Sequence, residues 1–260
     1  MYDSAMGKKV RLDSLLVTRG LASSRDWAQR LIRAGEVRVN DQVVATPAKL
    51  ILDDPVNQLV VTQPPKYVSR GGFKLEAALD QFGIDPSGMV CTDVGSSTGG
   101  FTDCLLQRGA AKIYALDVGK NQLHWHLRNN ARVILQEGVN VRHVQSLPER
   151  INLAVIDVSF ISLELVLPNV FSWLEPGSGN VIALIKPQFE AGKANVGRGG
   201  IVRDPAIHAE VIARISGFAA NQGWPVQRII ESPILGTEGN KEFLALMRSR
   251  SDAMHDSTRP

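Results

Sequence analysis

The sequence predicts an α/β protein in two parts, a small α+β module followed by a doubly wound α/β domain. Three observations carry that expectation. From Met89 onward, apolar strand-like runs alternate with helical patterns, as in a parallel sheet covered on both faces. The first of these runs ends in a glycine-rich turn, and open sheets of this kind hold ligands at the carboxyl ends of their strands. Positive charge gathers near the start of the chain. Lys8, Lys9, Arg11, Arg19, Arg25, Arg30, Arg33 and Arg38 face only Asp13, Asp26 and Glu36, so residues 8–40 carry +5 and leave −2 for the rest of a chain whose net charge is +3. A basic head on a near-neutral body reads as a polyanion-binding module joined to something else.

Composition excludes several classes. The chain has 260 residues, 44% hydrophobic and 21% charged, which suits a globular protein with one large or two unequal domains. No apolar run approaches the ~20 residues that span a bilayer. The polar stretch 1–11 has no apolar segment before a cleavage site, so no secretory signal is expected and the chain reads as cytoplasmic. Cys91 and Cys104 lack CxxC spacing, which supports neither a disulfide scaffold nor a zinc ribbon.

In the first module Leu12, Leu15 and Leu16 form an i, i+3, i+4 stripe that stops at Gly20. Ser23 or Ser24 caps a second helix, with Trp27, Ala28, Leu31 and Ile32 facing a core and Arg25, Gln29, Arg30 and Arg33 on other faces. Gly35 ends it. Val37 and Val39 then alternate with Glu36 and Arg38, Asn40-Asp41 supplies a turn, and Val43-Val44 returns. Leu59-Val60-Val61 reads as a last short strand. The arginines around the second helix offer a phosphate-contacting surface.

The run from Arg11 to Asn40 resembles an S4-type RNA-binding domain, most specifically in its S-R pair (Ser24-Arg25) and its A-G-x-V-x-V-N stretch. Asp41 stands where that family has a turn glycine. The resemblance implies binding of structured RNA through Arg11, Arg19, Ser24, Arg25, Arg30, Arg33 and Arg38.

In the second module the strand-like runs lie at 90–94, 112–118, 132–136, 153–158, 181–185, 226–234 and 243–247, with helices expected at 98–108, 162–174 and 205–221. The first strand ends in C-T-D-V-G-S-S-T-G-G-F, residues 91–101. There Gly95, Ser97, Thr98, Gly99 and Gly100 let a ligand approach the backbone and the free N–H groups of a helix start. The turn is not GxGxxG, and GxxxxGK[ST] is absent, which argues against nicotinamide and nucleoside-triphosphate cofactors. Asp93 before the glycines suits a cationic amine, and Asp117, ending the second strand, suits the two hydroxyls of a ribose. Together they point to S-adenosylmethionine. Asn140 either touches the adenine edge or is a loop residue, and Phe101 either lines the pocket or packs beneath the helix.

The acceptor is narrowed by what is missing. The fourth strand ends in I-D-V-S-F, without the (D/N)PPY run that holds an exocyclic nitrogen. Both cysteines belong to the first strand and its helix, away from where carbon methylation needs a nucleophile, and read as packed thiols. A hydroxyl remains. Activating a ribose hydroxyl takes a base, and lysine serves when burial or a second cation disfavours its charged form. Lys74 in S-R-G-G-F-K-L and Lys186 in A-L-I-K-P-Q-F-E stand in suggestive contexts, Lys186 closing an apolar strand before Pro187.

Read together, S-R-G-G-F-K-L, D-V-G-S-S-T-G-G-F-T, D-V-S-F-I-S-L and K-P-Q-F-E resemble the haemolysin A (TlyA-type) family of RNA methyltransferases over about residues 9–247. That family joins an S4-type domain to an FtsJ-like, Rossmann-like methyltransferase domain. The resemblance implies an S4-type domain at 8–62, a linker at 63–69, a catalytic domain at 70–249 and a polar tail at 250–260. It also implies a Lys-Asp-Lys-Glu tetrad of Lys74, Asp157, Lys186 and Glu242. Glu238 is a rival for the last place, but the G-N-x-E-F context favours Glu242. The implied activity is S-adenosylmethionine-dependent 2′-O-methylation of cytidine in ribosomal RNA, free or within ribosomal subunits. Lys186 would contact the 2′-oxygen and help remove its proton, Asp157 would orient Lys186, and Lys74 and Glu242 would position the ribose.

Two other classes fit the sequence less well. A non-catalytic RNA-binding assembly factor would keep the basic head but lose tetrad or cofactor residues, and all of them stand here. A membrane-active haemolysin would need a spanning segment and would leave the cofactor turn idle. His124 and His126 lack a third ligand nearby, so no metal is expected. The glycine-rich loop at 190–203 either orders on RNA or is plainly mobile.

Overall fold

A computed structural model describes residues 8–22, 24–62, 66–236 and 239–249. Ser23, Glu238, linker positions 63–65 and the tail at 250–260 lie outside the described residues. The chain divides after Lys66 into two compact units.

The first unit runs β1 (Lys9–Arg11), α1 (Leu12–Thr18), α2 (Arg25–Arg33), β2 (Val37–Val39), β3 (Gln42–Val43), β4 (Leu50–Leu52) and β5 (Leu59–Val61). The two helices meet because their apolar stripes have nowhere else to go. Leu12, Leu15 and Leu16 of α1 and Ala28, Leu31 and Ile32 of α2 share one core with Val37 and Ile51. Ser24 caps α2, its Oγ accepting the Trp27 N–H at 3.1 Å. β2 pairs with both β3 and β5. The tight turn forms without glycine: Asn40 and Asp41 adopt φ of 49° and 63°, as a two-residue hairpin turn requires. The Asn40 side chain secures it by accepting the Gln58 N–H at 2.9 Å. β1 and β4 pair with each other and were not anticipated, since three residues are too few to show alternation.

Asp13 organises the polar side of this unit. Its buried carboxylate accepts from Arg11 Nε (3.0 Å) and Nη2 (2.7 Å), Gln29 Nε2 (3.0 Å) and the Ser14 N–H (2.8 Å). The Arg11 hydrogen bonds, helped by Gln29 and the charges of Arg11 and Arg25 and opposed by burial, hold this carboxyl well below the usual range.

The second unit runs α3 (Gly71–Phe82), β6 (Val90–Val94), α4 (Gly100–Gln107), β7 (Lys112–Asp117), α5 (Trp125–Arg128), β8 (Val133–Glu137), β9 (Leu153–Ile156), α6 (Leu167–Trp173), β10 (Asn180–Ile185), α7 (Pro187–Glu190), α8 (Pro205–Asn221), β11 (Val226–Glu231) and β12 (Phe243–Arg248). Among the described residues seven strands form one sheet in the order β8-β7-β6-β9-β10-β12-β11. The strands from β6 to β10 pair in parallel, as expected. β12 does not: it lies antiparallel between β10 and β11. A parallel return needs a crossover of a dozen or more residues, usually a helix, and residues 232–242 are too few.

Other boundaries also differ. The helix expected at 162–174 is a 3₁₀ turn (Leu163–Leu165) followed by α6. Tyr67 and Val68, expected in the linker, are 2% and 6% exposed and belong to the second unit. Val68 donates its N–H to Asp103 Oδ2 at 2.8 Å, and the Tyr67 ring lies against Gly72, where any Cβ would collide with it. α3 was not anticipated, because Gly71 and Gly72 are poor helix residues. Its terminus is fixed by packing rather than propensity.

Replacing Asp13 with alanine leaves the Gln29 amide and the Arg11 guanidinium without their acceptor, and should cost the first unit about 1–3 kcal/mol in chemical denaturation. Because the folded carboxyl titrates below its unfolded value, its stabilisation is complete above the unfolded pKa and is lost as pH falls through the folded one. The parent should therefore lose stability on acidification more steeply than Asp13→Ala. Parallel curves would refute the role assigned to this carboxylate.

Candidate active site

The residues that the sequence singled out for chemistry converge at the carboxyl edge of the large sheet. Asp93 is the penultimate residue of β6, Asp117 ends β7, Asp157 follows β9 and Lys186 follows β10. The antiparallel β12 adds the last member. Its first residue, Phe243, pairs with Ile185, so Glu242 arrives at the edge that Lys186 leaves. Lys74 comes from the first turn of α3.

Two ion pairs result. Lys74 Nζ lies 2.5 Å from Glu242 Oε2, and both side chains are nearly out of water. Gln188 Nε2 supports this pair by donating to Glu242 Oε1 at 3.1 Å. Lys186 Nζ lies 2.5 Å from Asp157 Oδ1 and donates to Ser159 Oγ at 3.0 Å. All four members of the expected tetrad, with Asp93 and Ser159, line one cavity of about 280 Å³.

A second cavity, of about 440 Å³, is lined by Asp117, Val118, Asn140, Val141, Phe160 and others. The two cavities share Gly95, Ser97, Asp157 and Ser159. The turn between β6 and α4 is their common wall. Gly95 there has a φ of +84°, and a Cβ on it would sit 2.6 Å from the Asp157 carbonyl oxygen. Ser97 is also left-handed, with a φ of 46°, held by its N–H donated to Asp117 Oδ2 at 2.7 Å. Asp117 Oδ1 accepts the Gly119 N–H at 2.7 Å, so the carboxylate is fixed while lone pairs remain on both oxygens.

Asp93 is fully buried. Its Oδ2 takes the Thr102 N–H (2.8 Å) and hydroxyl (2.6 Å). Its Oδ1 finds no partner among the described residues, and neither does the buried Ser96 hydroxyl. Burial pushes the Asp93 carboxyl up to about 7 against the Thr102 hydrogen bonds, with the charges of Asp157 and Asp117 adding to the rise. A buried carboxylate oxygen without a donor, on the wall of a cavity, fits a cationic ligand group. Thr98, Gly100 and Phe101 also line the first cavity, Phe101 being only 3% exposed and therefore mostly packing. Gly99 packs so close to Leu127 that a Cβ would collide. Asn140 reaches the second cavity, but its Oδ1 already accepts from the Arg142 backbone (3.1 Å) and guanidinium (3.2 Å).

Sequence reasoning passed over three participants: Ser159 and Gln188, each supporting an ion pair, and Phe160. Phe160 is 90% exposed with a φ of 63°, its ring 4.8 Å from that of Phe189. The motifs containing them were visible, but nothing in the pattern marks a phenylalanine in a left-handed backbone. Cys91 and Cys104 are packed thiols that burial pushes up to about 12. Among the described residues no three metal-ligating side chains gather, and His124 caps α5 by accepting the His126 N–H at 3.4 Å. The loop at 190–203 is pinned in part: Asn240 accepts the Val202 N–H and donates to the Gly200 carbonyl, both at 3.0 Å.

In the first unit, Arg25, Arg33 and Arg38 are exposed, while Arg11 and Arg30 are partly buried. Arg19, also expected to contact RNA, is partly buried. It donates to the Asn57 and Asp54 carbonyls and to Asp53 Oδ1, at 3.0, 2.9 and 2.9 Å, and so clamps the β4–β5 loop. The Ser24 hydroxyl accepts in the α2 cap and keeps its own proton to donate.

A parallel sheet with an acid-glycine turn, reversed last strand and Lys-Asp-Lys-Glu edge defines a Rossmann-like methyltransferase domain. A family model for FtsJ-like methyltransferases matches residues 67–249, an S4 domain model matches residues 10–53, and the chain belongs to the FtsJ-like methyltransferase family. It is 49% identical to YqxC of Bacillus subtilis, provisionally named an rRNA methyltransferase, over 91% of this chain and 85% of that one. It is 41% identical to the 16S/23S rRNA (cytidine-2′-O)-methyltransferase TlyA of Mycobacterium tuberculosis, over 95% of this chain and 92% of the relative. A solved structure from Streptococcus thermophilus, provisionally named a hemolysin, is 43% identical and aligns with a TM-score of 0.73 over 95% of this chain and 90% of that one. No helix among the described residues is long and apolar enough to cross a membrane.

Gly95→Ala should lower stability by at least the about 1–2 kcal/mol that a left-handed backbone costs a residue with a Cβ, with the clash against Asp157 added. Thermal denaturation of the purified variant measures this. A variant as stable as the parent would mean that the Asp157 backbone yields freely.

Proposed function

We propose that the protein methylates the 2′-hydroxyl of cytidine in ribosomal RNA, with S-adenosylmethionine as donor, in the cytoplasm. One observation carries the reading: a cavity holding two lysine–carboxylate pairs meets a second cavity at Asp157. Asp117 lines the second cavity and Asp93 the first, so a nucleoside with an amino-acid arm that reached across their shared wall would meet both acids. The names of the relatives supply the cytidine and the ribosomal RNA.

S-adenosylmethionine, when bound, supplies an electrophilic methyl group on a positively charged sulfur. Asp93 would accept its amine through the unpartnered Oδ1, and Asp117 its ribose hydroxyls. The turn of Gly95, Ser97, Thr98, Gly99 and Gly100 admits it to the backbone, with Asn140 at the adenine end and Phe101 packed below. On the acceptor side Lys186 holds the 2′-oxygen and takes its proton after giving up one of its own to Asp157 or to solvent. Asp157 and Ser159 fix the Lys186 amine so that its approach to the hydroxyl is set in advance. Lys74 and Glu242, paired in the same cavity, hold the ribose. Phe160, exposed at the second cavity and next in sequence to Ser159, which lines both, presents a ring on which an unstacked base can lie. Residues 8–62 supply RNA affinity through Arg11, Arg25, Arg30, Arg33 and Arg38, and residues 70–249 the chemistry.

Lys186→Ala should lower methyl transfer to ribosomal RNA by about 10²–10⁴-fold, the usual worth of a positioned base, while calorimetry finds S-adenosylmethionine bound as before. Lys186→Arg should not restore it, because a guanidinium keeps its proton. The product is read by alkaline hydrolysis, which a 2′-O-methyl group blocks at its own phosphodiester. A methylated base in a normally cleaved backbone would overturn the ribose assignment.

Changing Arg25, Arg30 and Arg33 together to glutamine should weaken RNA binding and make its dependence on salt shallower, because fewer counterions are released. Affinity for S-adenosylmethionine should not move. RNA affinity that survives the triple change would remove this surface from the interface.

A further inference from the structure

Glu190 closes the K-P-Q-F-E motif and has no place in the tetrad, yet its side chain is only 2% exposed. A buried carboxylate needs compensation, and this one has it from three directions. Oε1 accepts the Leu163 N–H at 2.8 Å, Oε2 accepts the Ser162 hydroxyl at 2.8 Å, and Oε2 also meets Arg214 Nη2 at 2.9 Å. Arg214 is held in turn, through Nη2 on the Glu190 carbonyl at 2.9 Å and Nη1 on Glu164 at 2.6 Å.

The partners of Glu190 lie at the far end of the segment that carries the site. After Asp157 donates its N–H to the Val94 carbonyl at 2.9 Å, the chain leaves the sheet. It passes through Ser159, which receives Lys186, and through Phe160 in its left-handed conformation. Ser162 and Leu163 are where it is next tied down by polar contacts, and both ties go to Glu190. Glu190 itself is one helical turn beyond Lys186, on α7. The carboxylate therefore joins the segment bearing Asp157 to the helix that starts at Lys186. We propose that Glu190 is a positioning residue for methyl transfer, a staple backed by Arg214 that sets the Asp157–Lys186 pair in register. This rests on the activity proposed above. Glu190 touches neither cavity, so its effect is carried through the two segments it joins.

Misplacing a reacting group by about 1 Å can cost on the order of 10²-fold in rate. In single-turnover methylation of ribosomal RNA, Glu190→Ala should slow the chemical step by about 10–100-fold. Its affinities for S-adenosylmethionine and RNA should stay within about twofold of the parent, because the groups that bind them are untouched. Glu190→Gln should recover part of the lost rate, since its carbonyl can still accept from Leu163 and its amide can donate to Ser162, although that amide no longer accepts from Arg214. Should Glu190→Ala fail to fold, Ser162→Ala and Glu190→Gln decide: the first should slow the step several-fold without lowering cofactor affinity, and the second should slow it less. An unchanged rate in the folded alanine variants overturns the proposal. So does a loss that follows cofactor affinity and melting temperature together, which marks a merely structural residue. A parent protein that transfers no methyl group to ribosomal RNA fails the activity itself, and this inference falls with it.

Discussion

Charged side chains taken out of water cost several kcal/mol each unless an opposite charge meets them in good geometry. At the edge of the large sheet this applies to Lys74 with Glu242 and to Lys186 with Asp157. The four residues come from α3, the start of β12, the end of β10 and the end of β9, so satisfying them fixes the relation of four elements. The pairing of Ile185 with Phe243 then becomes a matter of chemistry as well as of sheet geometry. A one-residue slip of β12 would exchange the residues on its two buried faces and carry Glu242 away from Lys74.

A comparable dependence holds at Asp93 and the glycine turn. Asp93 is buried with one oxygen unserved, and its carboxyl is pushed up to about 7. A cationic group arriving beside it relieves that burial, so ligand and carboxylate stabilise one another's charge. The neighbouring Gly95 and Ser97 spend left-handed backbone to keep the wall thin between the two cavities. Strain of this kind persists only where the surroundings over-determine it, here through Asp117 and the Asp157 carbonyl.

The parallel strands were legible because strands buried on both faces read as continuous apolar runs, and the acids closing them were legible by position. Strand direction was not: 243–247 is equally apolar read either way, and only the shortness of the connection decides that β12 reverses. α3 escaped notice because tertiary packing on Tyr67 overrides the poor propensity of Gly71 and Gly72. Arg19 shows the limit of counting charge. An arginine that clamps backbone carbonyls and one that faces solvent contribute the same +1, and only the fold tells them apart. The tetrad itself was reached through family motifs, since no spacing rule links Lys74 to Glu242.

That last pair has a consequence for the order of events during synthesis. Its two members are 168 residues apart, one near the start of the second unit and the other at the entrance to its final strand. The first cavity is complete only once β12 has been made and inserted between β10 and β11. A nascent or truncated chain ending before β12 would carry Lys74 without its counter-charge. The placement of one glutamate thus doubles as a check that translation of the domain has run to its last strand.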